Sequence, residues 1–547
     1  MLRKKIFLMS FIFITIALVS CEEDFLETTP TDAIAGADAL ANEDNMQLVL
    51  NGLHRGLFSQ SQTILPGGNT QRAGNHYWIP IGDNLSGGLI HSASANNLGW
   101  RTEMQWNSHT DPTSLTTELL WYHRYNIILG ANLLIDKATD GSLTESPKLK
   151  EILGQAYTYR AYAYLSLIQH YAKGYLIGNP ASDPGVPLLN SVTSEFTSAP
   201  RSTVQEIYNQ IENDLNAAIN VFDGAQARPG GTAGKSQLNI NTAYALLART
   251  ALSKGDWATA ASAAVNAREG YPLMNEADWL SGFNTNDLSE VIWGSNVIET
   301  ETTFFRSYFY LTSNTFNGSQ IRNNPKIADR RLIDAIPDTD YRKKAFIIDA
   351  PNTNSSAANQ QGGFGNDPNY TDQDEFNAKR AEINETYGIT NRFNQHPYMH
   401  FKLKNKNPGS IDPDDIIYIR SSEMYLIEAE AKTMMGDIPG AQEALRPLGE
   451  ARDSAYDVTI YNTQESMMNH IKFQRGVELW GEGFGYTDKI RWDEGIDHAA
   501  NGGSGASAVL YQEAYQVDKP SINNDWIFKI PQAEIDANPN LGPDDQN

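Results

Sequence analysis

The chain has 547 residues, and its 42 Lys+Arg against 66 Asp+Glu give a formal net charge of −24 at pH 7. A surface this acidic repels phosphate backbones, which argues against nucleic acid as a partner and disfavours polyanionic glycans. With 40% hydrophobic and 20% charged residues the chain reads as globular, and its length allows roughly two to four domains.

The first twenty residues predict an export signal. Arg3, Lys4 and Lys5 form a basic start, and Ile6 to Val19 is an uncharged apolar run too short to span a bilayer comfortably. Leu18-Val19-Ser20-Cys21 is similar to the bacterial lipobox, in which the cysteine thiol takes a diacylglycerol before cleavage. Residues 1–20 are then removed, which takes the charge from −24 to −27, and Cys21 becomes the acylated first residue of a membrane-tethered protein. The alternative is an ordinary secretory peptide with Cys21 there by chance. Cys21 is the only cysteine, so no intrachain disulfide, CxxC pair or Cys-rich zinc site can form. Glu22, Glu23 and Asp24 follow it. They read either as a solvated tether or as acids similar to the surface-export signal of Bacteroidetes lipoproteins.

The strong periodic segments that follow are helical. Ser114 to Thr139 carries Leu119, Leu120, Tyr122, Ile127, Leu133 and Leu134, and Lys148 to Tyr171 starts after Pro147 with Leu153, Tyr157, Tyr164 and Ile168 on one broad face. Ser202 to Phe222 starts at a serine suited to an N-cap, and Ile240 to Leu252 has apolar residues at 240, 243, 244, 247 and 251. An internal repeat then emerges. Tyr244-x3-Ala248-x6-Gly255-Asp256-x3-Ala260 matches Tyr425-x3-Ala429-x6-Gly436-Asp437-x3-Ala441. The alanines allow close helix approach and the glycines a left-handed turn, so both segments resemble the helix-turn-helix unit of tetratricopeptide repeats. Between the helices, residues 60–113, about 281–330 and 350–410 are rich in Gly, Asn, Ser and Thr with scattered aromatics, and 353–372 is the strongest candidate for a mobile loop.

No HExxH, GxSxG, Walker or EF-hand motif is present. His396 and His400 are four apart, but Pro397 between them points to two solvated loop histidines rather than a metal pair. No catalytic residue, metal ligand or cofactor is therefore nominated.

Seven motifs in order resemble the SusD/RagB family of outer-membrane nutrient-binding lipoproteins. They are Asp24-Phe25-Leu26-Glu27 with Pro30, Tyr125-Asn126-Ile127-Ile128 with Ala131-Asn132 and Ile135-Asp136, Arg160-Ala161-Tyr162, Gly185-Val186-Pro187-Leu188, the run Arg420 to Ala431, Glu478-Leu479 through Arg491-Trp492, and Ile530 to Leu541. The resemblance implies a mostly α, tetratricopeptide-like scaffold with long irregular loops and a few short strands forming a ligand face. Its divisions are a signal over 1–20, an N-terminal part over 21–220 with the first repeats, and a C-terminal part over 221–547 with further repeats and ligand-face insertions, all in one compact unit. The implied function is non-catalytic capture of oligosaccharides at the outer face of the outer membrane. Delivery goes to a TonB-dependent, SusC-like transporter over which the protein acts as a lid. Capture of peptides and a surface glycoside hydrolase remain the alternatives. One departure is visible: where the family commonly has an arginine two residues after the Glu482-Gly483 pair, this chain has Gly485. The charged residues Arg475, Glu478, Glu482, Asp488 and Arg491 are read as satisfied structural pairs.

Sugar binding needs flat aromatic faces for C–H surfaces, with amides, carboxylates and guanidinium groups for hydroxyls. Segment 75–106 offers Tyr77, Trp78, Asp83, Asn84, Asn96, Asn97, Trp100, Arg101 and Trp106. Trp100 is the one expected to be exposed, while Trp78 and Trp106 serve equally as core plugs under a long loop. A second cluster has Phe304, Phe305, Tyr308, Tyr310 and Phe316 with Arg306, Arg322 and Asn323, and its alternation suggests a hairpin with half of the aromatics in the core.

Overall fold

The computed structural model describes residues 38–60, 72, 74–91, 101–192, 198–302, 305–318, 322–353, 363–367, 369–498 and 517–547. Cys21, the export signal and Asp24-Phe25-Leu26-Glu27 lie outside the described residues. The longer helices are α1 (Glu43–Gly56), α2 (Asn75–Ser86), α3 (Leu115–Thr139), α4 (Pro147–Tyr171), α5 (Val204–Phe222), α6 (Ile240–Lys254) and α7 (Trp257–Ala267). A short α8 (Tyr308–Thr312) and α9 (Gln373–Tyr387) precede α10 (Ser421–Met434), α11 (Ile438–Arg452), α12 (Gln464–Glu478) and α13 (Gly485–Trp492).

Side-chain caps set where the helices begin. Ser114 accepts from the Thr117 amide before α3, and Ser146 accepts from Leu149 before α4, where Pro147 takes the first turn. α5 starts one residue later than a Ser202 cap requires, because Thr203 and Glu206 close a reciprocal capping box at its start. Along α5, Val204, Ile207, Tyr208, Ile211 and Leu215 are all buried. At about 1.5–3 kcal/mol for each fully buried large apolar side chain, that stripe rather than helix propensity holds the helix in place.

The helices pack in an almost unbroken series, α3 on α4, α4 on α5, α5 on α6, α6 on α7, α7 on α10, α10 on α11 and α10 on α12. The two copies of the repeat are thus adjacent although they are 181 residues apart in sequence (Tyr244 and Tyr425). Their turns are superposable in detail. Gly255 and Gly436 have φ of 76° and 79°, and the amides of Asp256 and Asp437 donate back to the Ala251 and Lys432 carbonyls at 2.9 and 3.0 Å. Each aspartate side chain then caps the next helix, Asp256 on the Thr259 amide and Asp437 on the Gly440 amide. Ala248, Ala260, Ala429 and Ala441 are fully buried where the paired helices touch.

Between α7 and α10 the chain leaves the stack and builds three strands of a small antiparallel sheet, whose fourth strand comes from just after α2. Its strands are β1 (Leu89–His91), β5 (Lys326–Ala328), β6 (Phe346–Ile347) and β7 (Met399–His400), in the order β1-β5-β7-β6. Pro184–Pro187 (β2) pairs with Arg201–Thr203 (β3), and Val291–Ser295 (β4) pairs with Ile416–Arg420 (β8), which carries the chain back to α10. Among the described residues no helix is long and apolar enough to cross a membrane.

Where the sheet region rejoins the repeats lies a buried charge cluster. Glu478 at the end of α12 accepts from Arg342 at 2.9 Å, Arg420 at 2.6 Å and Arg452 at 3.1 Å. Glu290 takes Arg420 at 2.9 Å and is also bound by Arg452, while Glu482 takes Arg420 at 2.8 Å and Lys402 at 2.7 Å. Asp340 holds Arg342 at 2.6 Å. Four cations therefore meet four carboxylates, none with a side chain more than 10% exposed, and they are drawn from residues 290, 340–342, 402, 420, 452 and 478–482. A second buried set, Arg475–Asp488–Arg491–Glu430, ties α12 and α13 to α10.

Burial works against ionisation of Glu478, but Arg452, Arg420 and Arg342 outweigh it and hold the carboxyl well below the usual glutamate value of 4.5. Because the folded value is the depressed one, its stabilisation is complete above about pH 4.5 and is lost as pH falls below that. Glu478→Gln should cost about 3–5 kcal/mol, since it strands buried arginines. Urea denaturation at pH 7 measures that loss, and the same series run from pH 7 to 3 should show a flatter acid limb for the variant.

Candidate functional site

The sequence-nominated ligand segment 75–106 divides into three parts. Residues 75–86 are α2, and its polar side chains point inward. Asn75 Oδ1 accepts from Arg124 Nη2 at 3.0 Å and from the Tyr162 hydroxyl at 2.9 Å. Tyr77 and Trp78 are buried, edge to face with ring centres 5.4 Å apart. Asn84 is fully buried as well. Asp83 accepts the backbone amides of Gly483 at 2.7 Å and Gly485 at 3.1 Å, so it closes the turn that enters α13. Burial pushes the Asp83 carboxyl up to about 6, and the two amide bonds restrain it from going further.

These contacts correct the sequence expectation. Tyr77, Asp83 and Asn84 are packing and turn-closing groups and offer solvent no face, and Trp78 looks into an internal cavity instead of outward. They also account for Gly485. In place of an arginine, this chain has a backbone amide held by Asp83, and a Cβ at 485 would meet Ser86 Oγ at 2.1 Å. Trp106 is a core plug, with Nε1 donating to the Leu85 carbonyl at 3.0 Å and its ring 4.6 Å from that of Trp526. Asn96, Asn97 and Trp100 lie outside the described residues, and Arg101 opens a helical turn, Arg101–Met104.

The second cluster differs from expectation too. Residues 308–312 form α8 instead of a hairpin arm, capped by Ser307, and Tyr308, Tyr310 and Phe316 are all buried. The Tyr308 hydroxyl donates to the Gly481 carbonyl at 3.1 Å, which removes Tyr308 from the candidate platforms. Phe305 is half-buried, and Phe304 lies outside the described residues. His396 and His400 are fully buried, not solvated; His400 bonds the Thr312 carbonyl at 2.8 Å, and burial lowers its imidazole to about 3. Among the described residues no group of three or more His, Cys, Asp or Glu could hold a metal ion.

Arg322 remains at the surface. It is half-buried, donates to Asn317 Oδ1 at 2.6 Å, and its carbonyl accepts the Asn394 amide at 2.8 Å. That bond brings Asn391, Arg392 and Asn394 beside Arg322 and the exposed Asn323. Beyond them the Thr353 amide donates to the Gln395 carbonyl and the Gly363 amide to the Asn352 carbonyl. Half-buried Phe364 and Tyr370 follow, both packed on Phe376. Within the 353–372 segment, 354–362 and 368 lie outside the described residues, whereas Asp367 pins the rest by accepting the Asn352 and Asn369 amides. Of this strip the sequence singles out Arg322, Asn323 and the segment 353–372, while Asn391, Arg392 and Asn394 lie unmarked in the polar stretch 350–410.

Strand pairing joins this strip to the first segment. His91 at the end of β1 is the register partner of Lys326 at the start of β5. The end of the sheet at which β1 stops is therefore the end at which residues 322–325 lead into β5. A polar and aromatic insertion is thus mounted on a sheet and carried by a helical-repeat stack, an arrangement suited to binding.

Comparison with known proteins agrees. The model of the SusD family matches residues 275–547, and a second, described as starch-binding associating with outer membrane, matches 84–252. A SusD-like protein P38 of Formosa agariphila is 22% identical over 414 residues, 72% of this chain and 75% of its own. A SusD-like carbohydrate binding protein of Bacteroides vulgatus superposes with a TM-score of 0.71 at 21% identity, covering 92% of this chain and 98% of the other. A SusD superfamily protein of Bacteroides thetaiotaomicron gives 0.67 at 22% identity over 92% and 99%. The chain belongs to the SusD/RagB family. A binding role is the one this family supports, and association with the outer membrane follows the matched family description.

The approach of α2 to the 481–485 turn decides whether the two halves of this region meet. A Cβ on Gly82 would lie 2.4 Å from the Gly483 carbonyl oxygen, a backbone atom on a segment held by the ion cluster. Gly82→Ala should destabilise the protein by about 1–3 kcal/mol through overpacking, measured as a lowered denaturation midpoint at an unchanged m-value.

Proposed function

We propose that the protein is a non-catalytic, lipid-anchored component of an uptake system. It captures oligosaccharides at the outer face of the outer membrane and passes them to a partner TonB-dependent, SusC-like transporter. The observation that carries this reading is the pairing of β1 with β5. It sets the end of β1, which precedes the sequence-nominated Asn96, Asn97 and Trp100, at the end of the sheet where residues 322–325 lead into β5 with Arg322 and Asn323 at the surface. Arg322, Asn323, Asn391, Arg392 and Asn394 supply amide and guanidinium groups able to bond sugar hydroxyls, and half-buried Phe364 and Tyr370 supply rings able to pack on C–H faces. The carbohydrate-binding relative from Bacteroides vulgatus supports the same ligand class. The anchor on Cys21 and the outward orientation rest on the N-terminal sequence, Leu18 to Asp24, and on the family resemblance. Peptide capture stands as the second reading within the family; a surface glycoside hydrolase stands behind it, since no acid pair in a cleft is nominated.

The purified chain from residue 22 onward, incubated with a panel of neutral and charged oligosaccharides and of peptides, should bind glycans and leave them uncleaved. Product formation would establish the hydrolase, and retention of peptides alone would establish peptide capture. Trp100→Ala should weaken glycan affinity about tenfold or more, as expected for loss of a stacked ring worth about 1–3 kcal/mol, at an unchanged unfolding temperature. Equal affinity at equal stability would remove Trp100 from the site.

A further inference from the structure

The repeat helices do not close on one another everywhere. A cavity of about 160 Å³ lies between α2, α3, α4, α6 and α10 on one side and the 482–491 segment on the other. Much of its wall is charged. Arg249 donates to both oxygens of Glu423 at 2.7 Å, Arg475 and Arg491 share Asp488, and Glu482 is taken by Arg420 and Lys402. Every carboxylate on the wall is thus already paired.

Arg124 is different. It is 3% exposed, and its guanidinium meets Ser166 Oγ at 3.0 Å, His123 Nδ1 at 2.8 Å and Asn75 Oδ1 at 3.0 Å, with the Tyr162 ring 4.9 Å away. None of these partners is a carboxylate. His123 supplies no negative charge either, since burial keeps it neutral, with its imidazole lowered to about 3. A buried cation without a counter-charge is costly. Three further donors on the same wall lack acceptors: Arg475 Nη1, the indole Nε1 of Trp78 and Asn75 Nδ2, all on buried residues. Buried N–H groups in native proteins almost always find partners, and this cavity has room for several water-sized molecules.

We propose that the cavity binds a small monovalent anion of the halide class, held by Trp78 Nε1 and Arg475 Nη1 and neutralising Arg124. Four arginines on the lining, Arg124, Arg249, Arg475 and Arg491, face three carboxylates, Glu423, Glu482 and Asp488, so a singly charged anion cancels the remaining charge and a multivalent one would overshoot it. An exchange route exists. A smaller cavity shares Gln169, Ser253, Thr487 and Arg491 with this one and reaches the surface at Leu176, which is 43% exposed. The Gln169 Nε2 to Ser253 Oγ bond at 3.2 Å spans the passage. Rotation of those two half-buried side chains opens it.

The anion would act as an internal counter-ion that clamps α2 against α3, α4 and the end of α12. Crystals of the chain from residue 22 onward, soaked in sodium bromide, should show anomalous density in the cavity within hydrogen-bonding reach of Trp78 Nε1. In solution, the unfolding temperature should rise saturably with chloride or bromide and stay flat with sodium methanesulfonate at equal ionic strength. Trp78→Phe keeps the ring and removes the donor, so the half-saturating halide concentration should rise about tenfold, the value of one hydrogen bond to a charged group. A cavity holding only water would overturn the proposal. So would a bromide peak with no halide-specific effect on unfolding, or an unchanged midpoint in Trp78→Phe.

Discussion

The pairing of Glu478 with three arginines is the constraint on which the rest of the molecule depends. Arg342 comes from the excursion that builds the sheet, Arg420 from the strand that returns from it, and Arg452 from the end of the second repeat copy. Apolar contacts alone allow these segments to slide; a carboxylate with two oxygens and three guanidinium partners does not. Buried ion pairs contribute little net stability, because desolvation offsets most of the attraction. What this one supplies is register. It sets where α12 ends, and so where the turn carrying Gly481 to Gly485 begins. That turn in turn receives Asp83 from α2 and the Tyr308 hydroxyl from α8. One glutamate therefore fixes the relation between the stack and the insertion.

A division of labour follows along the chain. The stack is built from short-range rules: caps, a period near 3.6, small residues where helices touch, and a left-handed glycine between them. Such a structure tolerates change at any single exposed position because each helix pair contributes its own part. The sheet region obeys no repeated rule. Its strands are two to three residues long, β1, β5, β6 and β7 alike, and its order is maintained by side chains reaching the backbone, such as Asn314 bridging the Lys326 and His400 carbonyls at 2.8 Å. A surface held in that way can be rebuilt residue by residue without disturbing the helices beneath.

The same division explains what was legible in the sequence. The helices over 115–139, 147–171, 204–222 and 240–254 were readable to within a residue or two because their caps and apolar stripes are local signals. The repeat was readable because Tyr, Ala, Gly-Asp and Ala recur at fixed spacing. The pairing role of Arg475, Glu478, Glu482, Asp488 and Arg491 was readable through the family resemblance. The interior of the candidate site was not. Asn75, Asp83 and Asn84 look like surface residues in any local window, and what buries two of them is bonding to Arg124, Gly483 and Gly485, up to 402 residues away. Tyr308-Phe309-Tyr310-Leu311 alternates like a strand, yet Ser307 caps it as one helical turn, because all four side chains have a core to enter. His400 carried no sign of burial, since its acceptor is the carbonyl of Thr312 at the end of that same turn.

These misreadings share a direction, and that direction bears on function. Polar and aromatic residues of the N-terminal part that looked suited to a ligand were drawn inward to join the stack to the insertion. The groups left at the surface near the sheet are Arg322, Asn323, Asn391, Arg392 and Asn394, with Phe364 and Tyr370 half-covered beside them. They are held by backbone bonds, as in the Asn394 amide to the Arg322 carbonyl, which leaves Asn323, Asn391 and Arg392 their side chains at the surface. A neutral oligosaccharide needs such a surface, with donors and acceptors in similar number and rings at the margin, and it needs no buried charge. The molecule keeps its strongest electrostatics inside, where they fix geometry, and presents amides outward. That arrangement suits a binding role, the one the family supports.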